Sequence, residues 1–353
     1  MKQFIQGNEA IAEAAVRAGA RMFAGYPITP TTEILEYLSW RLPEVGGTFI
    51  QAESEIASIH MVVGAATCGV RAITASSGPG LSLKQEGMSV LADEQLPALI
   101  VNSVRYGNGI GTLVSSQCDY LRDTRGGGNG DYRQLVLCPA SVQEAVDLVG
   151  LGFDLAEKYR MICVLMTEAA LSHMMEDCEL PPMQEPHRYE WGMDGHYTRP
   201  RIGIFDRDSV QEAKEWMVEK FAKVKENEQR WEDGYLEDAD YVFVAYGLTG
   251  RSVIGAVEHL RSQGEKVGFI RPITVWPFPE KAFEKINPNV KGVLTVEANA
   301  TGQLIDDVAL TLKRQKRGHV PVFTNPHIWG VPSRKMIIDD YKSVLQGTLK
   351  EVY

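Results

Sequence analysis

Cysteine is scarce and scattered in this 353-residue chain. The five are Cys68, Cys118, Cys138, Cys163 and Cys178. An odd number at wide spacing excludes a disulfide framework. Without a C-x-x-C pair, the chain has no ligand set of its own for an iron–sulfur cluster. Small buried apolar positions suit most of these residues best. Long apolar runs are also missing, and none approaches the ~20 residues of a membrane span. The first residues, Met1-Lys-Gln-Phe-Ile-Gln-Gly-Asn-Glu, carry no secretory hydrophobic core, so a cytoplasmic location is expected. Positive charge is in deficit, with 36 basic against 46 acidic residues and a net charge of −10. That balance argues against nucleic acid and anionic membranes as partners. Histidines such as His60 and His173 lack metal-ligand spacing, so no metal site is expected on this chain. Neither a P-loop nor a G-x-G-x-x-G fingerprint occurs.

What the chain does have is a regular alternation of short apolar runs and helical patterns. Strands are expected at 21–24, 48–50, 70–75, 98–102, 134–138 and 162–167. Helices are expected at 8–19, 31–40, 54–64, 81–91 and from 141 to about 155. Ile11, Ala15 and Ala18 mark the inner face of the first helix. Ile56, Ile59 and Val63 mark that of the helix at 54–64. Ser141-Val-Gln-Glu144 is a capping box. This rhythm predicts an α/β fold with a parallel sheet covered on both faces. It breaks between 181 and 240. A second capping box, Ser209-Val-Gln-Glu212, opens a charged helix there whose narrow apolar stripe is Trp216, Val218 and Phe221. A surface linker helix is the expected role. A smaller α/β unit follows, with strands at 241–246, 267–270 and 292–297 and helices at 251–262 and 304–313. The expected division is 1–186, 187–237 and 238–353.

The densest motif is Gly25-Tyr-Pro-Ile-Thr-Pro-Thr-Thr-Glu33. Gly25, Pro27 and Pro30 end a strand in a stiff turn, and Thr31 is available to cap the helix that follows. Thr29 therefore lies on a rigid loop at a strand-to-helix switch, where parallel α/β folds place ligand contacts. Glu55 opens the next helix, where the dipole favours a carboxylate. Ser76-Ser-Gly-Pro-Gly80 again joins a strand to a helix, and Arg105 follows the strand at 98–102.

These segments resemble the 2-oxoacid:ferredoxin oxidoreductase family. The resemblance runs through Gly25–Glu33, Gln51-Ala-Glu-Ser-Glu-Ile-Ala, Thr74-Ala-Ser-Ser-Gly-Pro-Gly-Leu-Ser-Leu, Asn102-Ser-Val-Arg, Gly126-Gly-Gly-Asn-Gly-Asp-Tyr-Arg and Val296-Glu-Ala-Asn-Ala-Thr-Gly-Gln-Leu. It implies an α subunit that binds the pyrimidine end of thiamine diphosphate, followed by a domain of the transketolase C-terminal type. Glu55, with Glu53 as its near competitor, is implied to bond the cofactor's ring nitrogen, so that the aminopyrimidine can act as base. Ser77 and Gly78 are implied to line the cofactor cleft. Arg105 is implied to hold the 2-oxoacid carboxylate, whose planar shape suits a guanidinium fork, with Thr29 as a second donor. Gly126–Asp131 is expected to be a structural loop, ordered by Gln117 and Asp119. Glu297, Asn299 and Gln303 match a family motif, with contacts at an interface as their expected role.

The implied reaction is oxidative decarboxylation of a 2-oxoacid to acyl-coenzyme A and CO₂, with electrons passed to ferredoxin. The wording around Glu53 and Leu81-Ser-Leu-Lys-Gln-Glu-Gly resembles the 3-methyl-2-oxobutanoate type most. The 2-oxoglutarate type is the alternative. The family's Gly-Asp-Gly segment for the metal-bound diphosphate is missing. A β subunit carrying the diphosphate site, Mg²⁺ and a [4Fe-4S] cluster is therefore implied, with a γ subunit, a ferredoxin-like δ subunit and ferredoxin as further partners. A stand-alone thiamine-dependent decarboxylase and a non-catalytic scaffold subunit are the competing readings. The missing diphosphate segment argues against the first. The presence of Thr29, Glu55 and Arg105 together argues against the second.

Overall fold

A computed structural model describes residues 2–186, 189, 191–193 and 210–353. The strands of its N-terminal half are β1 (Lys2–Gln6), β2 (Met22–Gly25), β3 (Thr48–Gln51), β4 (Ala72–Ser76), β5 (Ala98–Val104), β6 (Leu135–Leu137), β7 (Ile162–Glu168) and β8 (Met175–Glu179). Those of the C-terminal half are β9 (Trp231–Gly234), β10 (Tyr241–Val244), β11 (Val267–Pro272), β12 (Thr274–Trp276), β13 (Gly292–Thr295) and β14 (Val322–Thr324).

The larger sheet has seven strands in the order β12-β6-β7-β5-β4-β2-β3. It is parallel apart from β12, which runs antiparallel to β6. Its central strands β4, β5 and β7 are buried along their whole length, which is why they read as mainly apolar runs, interrupted by Thr74 and Ser76 in β4 and, toward the carboxyl ends of β5 and β7, by Asn102, Ser103, Thr167 and Glu168. The smaller sheet has five strands in the order β14-β13-β10-β11-β9, with β9 antiparallel at one edge. A separate antiparallel pair joins β1 to β8. Strand β12 thus returns from the C-terminal half to close the edge of the N-terminal sheet. One apolar core runs from the first sheet into the C-terminal half. A second lies under helices Gly247–Ser262 and Arg334–Leu345.

Several local expectations need correction. Thr31 precedes its helix but does not cap it. Its hydroxyl donates instead to Ile28 O at 2.9 Å, tightening the turn. The helix Glu55–Thr67 turns Glu55, Ser58, Ile59, Val62 and Ala66 inward, while Ile56 is 48% exposed. Its inner face is therefore partly polar, and apolar spacing alone misplaced it. The helix expected over 81–91 is two, Gly78–Leu83 and Gln85–Asp93, joined at Lys84. Ser141 does cap helix Val142–Tyr159, accepting from Glu144 N at 3.1 Å. The Glu144 carboxylate accepts from Ala140 N and also holds Arg271 of β11 through both its oxygens.

Ser209 of the second capping box lies outside the described residues. The helix Val210–Asn227 that follows buries Ala213 and Val224, and Val218 is exposed. Phe221 meets Trp276 of β12 edge-on at 5.6 Å between ring centres. Among the described residues, no helix is long and apolar enough to cross a membrane.

Candidate active site

The order β5-β4-β2-β3 sets the carboxyl ends of adjacent parallel strands side by side. Each ends in one of the motif loops. Arg105 follows β5, Ser77 and Gly78 follow β4, Thr29 lies beyond β2, and Glu55 lies beyond β3. The fold itself therefore gathers residues far apart in sequence on one sheet edge, where open α/β sheets bind ligands.

Asn8, buried at the start of helix Gly7–Arg17, fixes the Thr29 loop. Its amide donates to Pro30 O and to Glu33 Oε2, both at 2.7 Å. The Thr29 side chain is exposed, and its carbonyl accepts from Arg105 Nη1 at 2.6 Å. Arg105 Nη2 donates to Ile110 O at 2.8 Å. That carbonyl is within reach because Gly107, Gly109 and Gly111 adopt positive φ and fold the loop back on itself. Gly111 has backbone as its closest neighbour. A Cβ there would lie 2.7 Å from Tyr106 O. Arg105 is thus a buried cation that donates to two carbonyls and, among the described residues, to no carboxylate. Its Nε has no hydrogen-bond partner among the described residues. A guanidinium bonded only to neutral acceptors keeps a charge that an anion can pair.

Glu55 is the first residue of its helix and 7% exposed, whereas Glu53 points to solvent. Ser54 caps this helix by accepting from Ala57 N at 3.2 Å. Glu55 lies against the turn after β4. A Cβ at Gly80 would lie 2.5 Å from Glu55 Oε1 and collide with Ser76 Oγ. Gly80→Ala is therefore expected to displace the Glu55 carboxylate and cost about 1–3 kcal/mol by overpacking. The check is a lowered urea midpoint together with weakened thiamine diphosphate binding. Gly78 has φ +46°, and a Cβ there would meet Arg105 Nε at 3.3 Å. The hydroxyl of Ser77 is buried and donates to Ser103 O at 2.6 Å, so it braces the turn.

Sequence reasoning missed several residues around this edge. Lys84 is wholly buried, and its ammonium donates to Ser58 Oγ and Thr74 Oγ1. Arg122 reaches Gly78 O at 3.4 Å while paired with Asp119 and Asp123. Gln117 does not order the glycine-rich loop. Its amide donates to Glu168 Oε1 and Tyr246 O and accepts from Ala298 N. The glycine-rich loop instead sits on helix Gln85–Asp93, where Ser89 Oγ bonds Asn129 Oδ1 at 2.9 Å.

The C-terminal motif acquires a role as well. Glu297 Oε1 caps helix Leu304–Arg314, accepting from Gln303 N and Leu304 N and from the Asn299 amide. Gln303 accepts from Leu121 N and donates to Cys118 O, both at 2.9 Å. These bonds strap the segment after Arg105 to the C-terminal half. Burial pushes the carboxyls of Glu297 and Glu168 up, to about 7 and about 8. Their backbone and amide donors oppose the rise.

Residues 13–237 match the family described as pyruvate flavodoxin/ferredoxin oxidoreductase, thiamine diphosphate-binding. Residues 239–327 match core domain II of pyruvate:ferredoxin oxidoreductase. The chain belongs to this family. The ketoisovalerate oxidoreductase subunit VorB of Methanothermobacter thermautotrophicus is 43% identical over 314 residues, covering 87% of this chain and 89% of the relative. The 2-oxoglutarate synthase subunit KorA of Methanocaldococcus jannaschii is 37% identical over 345 residues, covering 88% and 92%. A solved 2-oxoglutarate:ferredoxin oxidoreductase from Magnetococcus marinus superposes with a TM-score of 0.84 at 26% identity. That match takes in 97% of this chain and 65% of the other, so this chain spans about two thirds of that longer polypeptide.

The protein is thus an oxidoreductase subunit of the 2-oxoacid:ferredoxin class, with the family's thiamine diphosphate-binding domain. The residues present fit that cofactor. Among the described residues, Ser76 Oγ is a buried polar atom without a hydrogen-bond partner, and it lies on the same sheet edge as Glu55. Gly78 and Gly80 carry no side chain of their own there and so let Arg105, Glu55 and Ser76 come close to the turn. Among the described residues, no group of three or more His, Cys, Asp or Glu side chains could hold a metal ion.

Proposed function

We propose that this chain supplies one half of the active site of a 2-oxoacid:ferredoxin oxidoreductase acting on 3-methyl-2-oxobutanoate. The observation that carries the reading is Arg105. It is a buried guanidinium held by two backbone carbonyls, with no acid partner among the described residues, beside the Thr29 loop and the turn after β4. In this reading Glu55 accepts a hydrogen bond from the pyrimidine ring, Ser77 and Gly78 form the wall of its cleft, and Arg105 with Thr29 holds the substrate carboxylate. Thiamine diphosphate, when bound, supplies the nucleophilic carbon that takes up the 2-oxo group. The chain's own share is orientation, charge and exclusion of water from the Arg105 pocket.

A β subunit would bring the diphosphate site, Mg²⁺ and a [4Fe-4S] cluster. A γ subunit, a ferredoxin-like δ subunit and ferredoxin would complete a cytoplasmic complex that uses coenzyme A as acyl acceptor. Residues 1–186 would form the pyrimidine-binding domain and 238–353 the transketolase C-terminal-like domain, with 187–237 between them.

The choice of substrate rests on charge. The loops at 25–31 and 105–112 contain no cation besides Arg105. Arg122, the next nearest to the turn, is already neutralised by Asp119 and Asp123. A second carboxylate on the substrate would be buried there unpaired, which is costly. A branched apolar side chain instead gains about 0.8 kcal/mol per buried CH₂. The greater identity to the ketoisovalerate relative than to the 2-oxoglutarate one supports the same choice. Steady-state assays of the whole complex on both acids, with ferredoxin or a viologen dye as acceptor, are expected to give the higher kcat/KM for 3-methyl-2-oxobutanoate. A preference for 2-oxoglutarate would overturn the specificity and leave the family membership standing.

A further inference from the structure

Lys84 carries a buried charge that takes no part in the substrate and cofactor contacts proposed for Arg105, Thr29 and Glu55. It sits at the joint between helices Gly78–Leu83 and Gln85–Asp93 and is 0% exposed. Its ammonium donates to two hydroxyls, Ser58 Oγ and, at 3.1 Å, Thr74 Oγ1. Both hydroxyls spend their own protons elsewhere. Ser58 donates to Glu55 O at 2.9 Å, and Thr74 donates to Ala24 O at 2.7 Å. Each therefore turns a lone pair to the ammonium. Among the described residues, no carboxylate bonds to Lys84.

Burying an ammonium on hydroxyls alone is expensive. Methionine would fill a similar volume without that cost. Desolvation accordingly pulls the Lys84 pKa down to about 7, and the charge of Glu55 is what opposes the fall. The other acid close in sequence, Glu86, faces outward and bonds His60 at 2.9 Å. Helix Glu55–Thr67 presents Glu55 and Ser58 on the face that covers Lys84, while β4 presents Thr74. The electrostatic partner of Lys84 is thus the carboxylate placed at the cofactor cleft, one helical turn from the hydroxyl that holds it.

We propose that Lys84 is a positioning residue for Glu55, a through-space counter-charge anchored by Ser58 and Thr74 that fixes the Glu55 carboxylate at the cleft. The functional half of this proposal rests on the reading of Glu55 as the cofactor contact. The structural half does not.

The sign of the pH dependence follows from Lys84 itself. Its folded pKa lies below that of the unfolded chain, so the unfolded state holds more protons above pH 7 and stability rises with pH across that window. The counter-charge is present below about pH 7 and fades above it.

Urea denaturation of the full chain tests the pairing with Lys84→Met, Glu55→Gln and the double variant at about pH 6 and pH 9. Lys84→Met is expected to stabilise the Glu55→Gln chain more than the wild type at pH 6, because the wild type also loses an attraction. The difference is expected to vanish at pH 9. Lys84→Gln, which keeps a donor for Ser58 and Thr74, is run in parallel and is expected to give the same coupling. Equal effects in both backgrounds at both pH values would make Lys84 a space-filling residue and overturn the proposal.

In the assembled complex, Lys84→Met is expected to slow deuterium exchange at the thiazolium carbon of bound thiamine diphosphate at least tenfold near pH 6.5. A wild-type rate would overturn the functional half. Exchange at the wild-type rate in Glu55→Gln would instead remove Glu55 from the cofactor contact, and the coupling measured in urea would still decide the pairing.

Discussion

Glu55→Gln, in the assembled complex, is expected to slow deuterium exchange at the thiazolium carbon of thiamine diphosphate by about 10²–10⁴-fold, the range for loss of a positioned acid–base group. The amide keeps the length and shape of the side chain. It cannot exchange a proton with a ring nitrogen as a carboxyl group can. At about pH 9, where Lys84 has lost most of its charge, folding should suffer little. Glu55 forms no ion pair with hydrogen-bond geometry among the described residues, and loss of a carboxylate from a helix N-terminus costs about 0.3–1 kcal/mol. Ser54 continues to cap the helix through Ala57 N. Exchange rate and urea midpoint are therefore expected to separate, with a large change in the first and a small one in the second. A wild-type exchange rate would show that another carboxyl serves the ring. Glu53, the nearest candidate by sequence, points to solvent.

That Glu55 opens a helix was legible in the sequence because its surroundings are local, whereas the role proposed for it comes from the family resemblance. A strand, a capping serine and a helix start lie within a few residues of it. The strands of the larger sheet were legible for a similar reason. Strands buried on both faces are mainly apolar, and β5 and β7 open with the apolar runs Ala98–Val101 and Ile162–Met166 before Asn102, Ser103, Thr167 and Glu168 follow at their carboxyl ends. What the sequence concealed is non-local. Strand β12 is Thr274-Val-Trp276, three residues closed off by Pro272 and Pro277, and only its pairing with β6 makes it a strand of the first sheet. Strand β1, pairing with β8 across most of the N-terminal half, escaped notice in the same way.

Lys84 shows a different limit. Leu81-Ser-Leu-Lys-Gln-Glu-Gly was expected to lie in a single helix, where a lysine ordinarily keeps its ammonium in water. Nothing in that stretch signals that Ser58 and Thr74 receive it in the core. The same cause misplaced the inner face of helix Glu55–Thr67. Periodicity assigned Ile56 to the core, but the buried positions begin with Glu55 and Ser58. An apolar stripe is a sound guide where a helix packs for stability. It fails where the inward face carries polar groups.

Arg105→Lys is expected to lower kcat/KM for the 2-oxoacid by about 1.5–3 kcal/mol, or roughly ten- to hundredfold, the loss for hydrogen bonds to a charged group. The guanidinium bonds Thr29 O and Ile110 O through separate nitrogens and leaves Nε free beside Gly78. An ammonium has one nitrogen. It can reach one carbonyl or face the substrate, but it cannot hold both loops and still present a planar fork to a carboxylate. The loss should appear mainly in KM if Arg105 binds the carboxylate equally in the ground and transition states. It should spread into kcat if the same contact also orients the 2-oxo carbon. Thiamine diphosphate affinity should change little, since in this reading Arg105 bonds the substrate and Glu55 bonds the cofactor. Equilibrium binding of the cofactor, measured beside steady-state kinetics, separates the two sites. An unchanged kcat/KM would remove Arg105 from the substrate pocket. A matching loss of cofactor affinity would mean that Arg105 shapes the cleft as a whole by joining the Thr29 loop to the Ile110 loop.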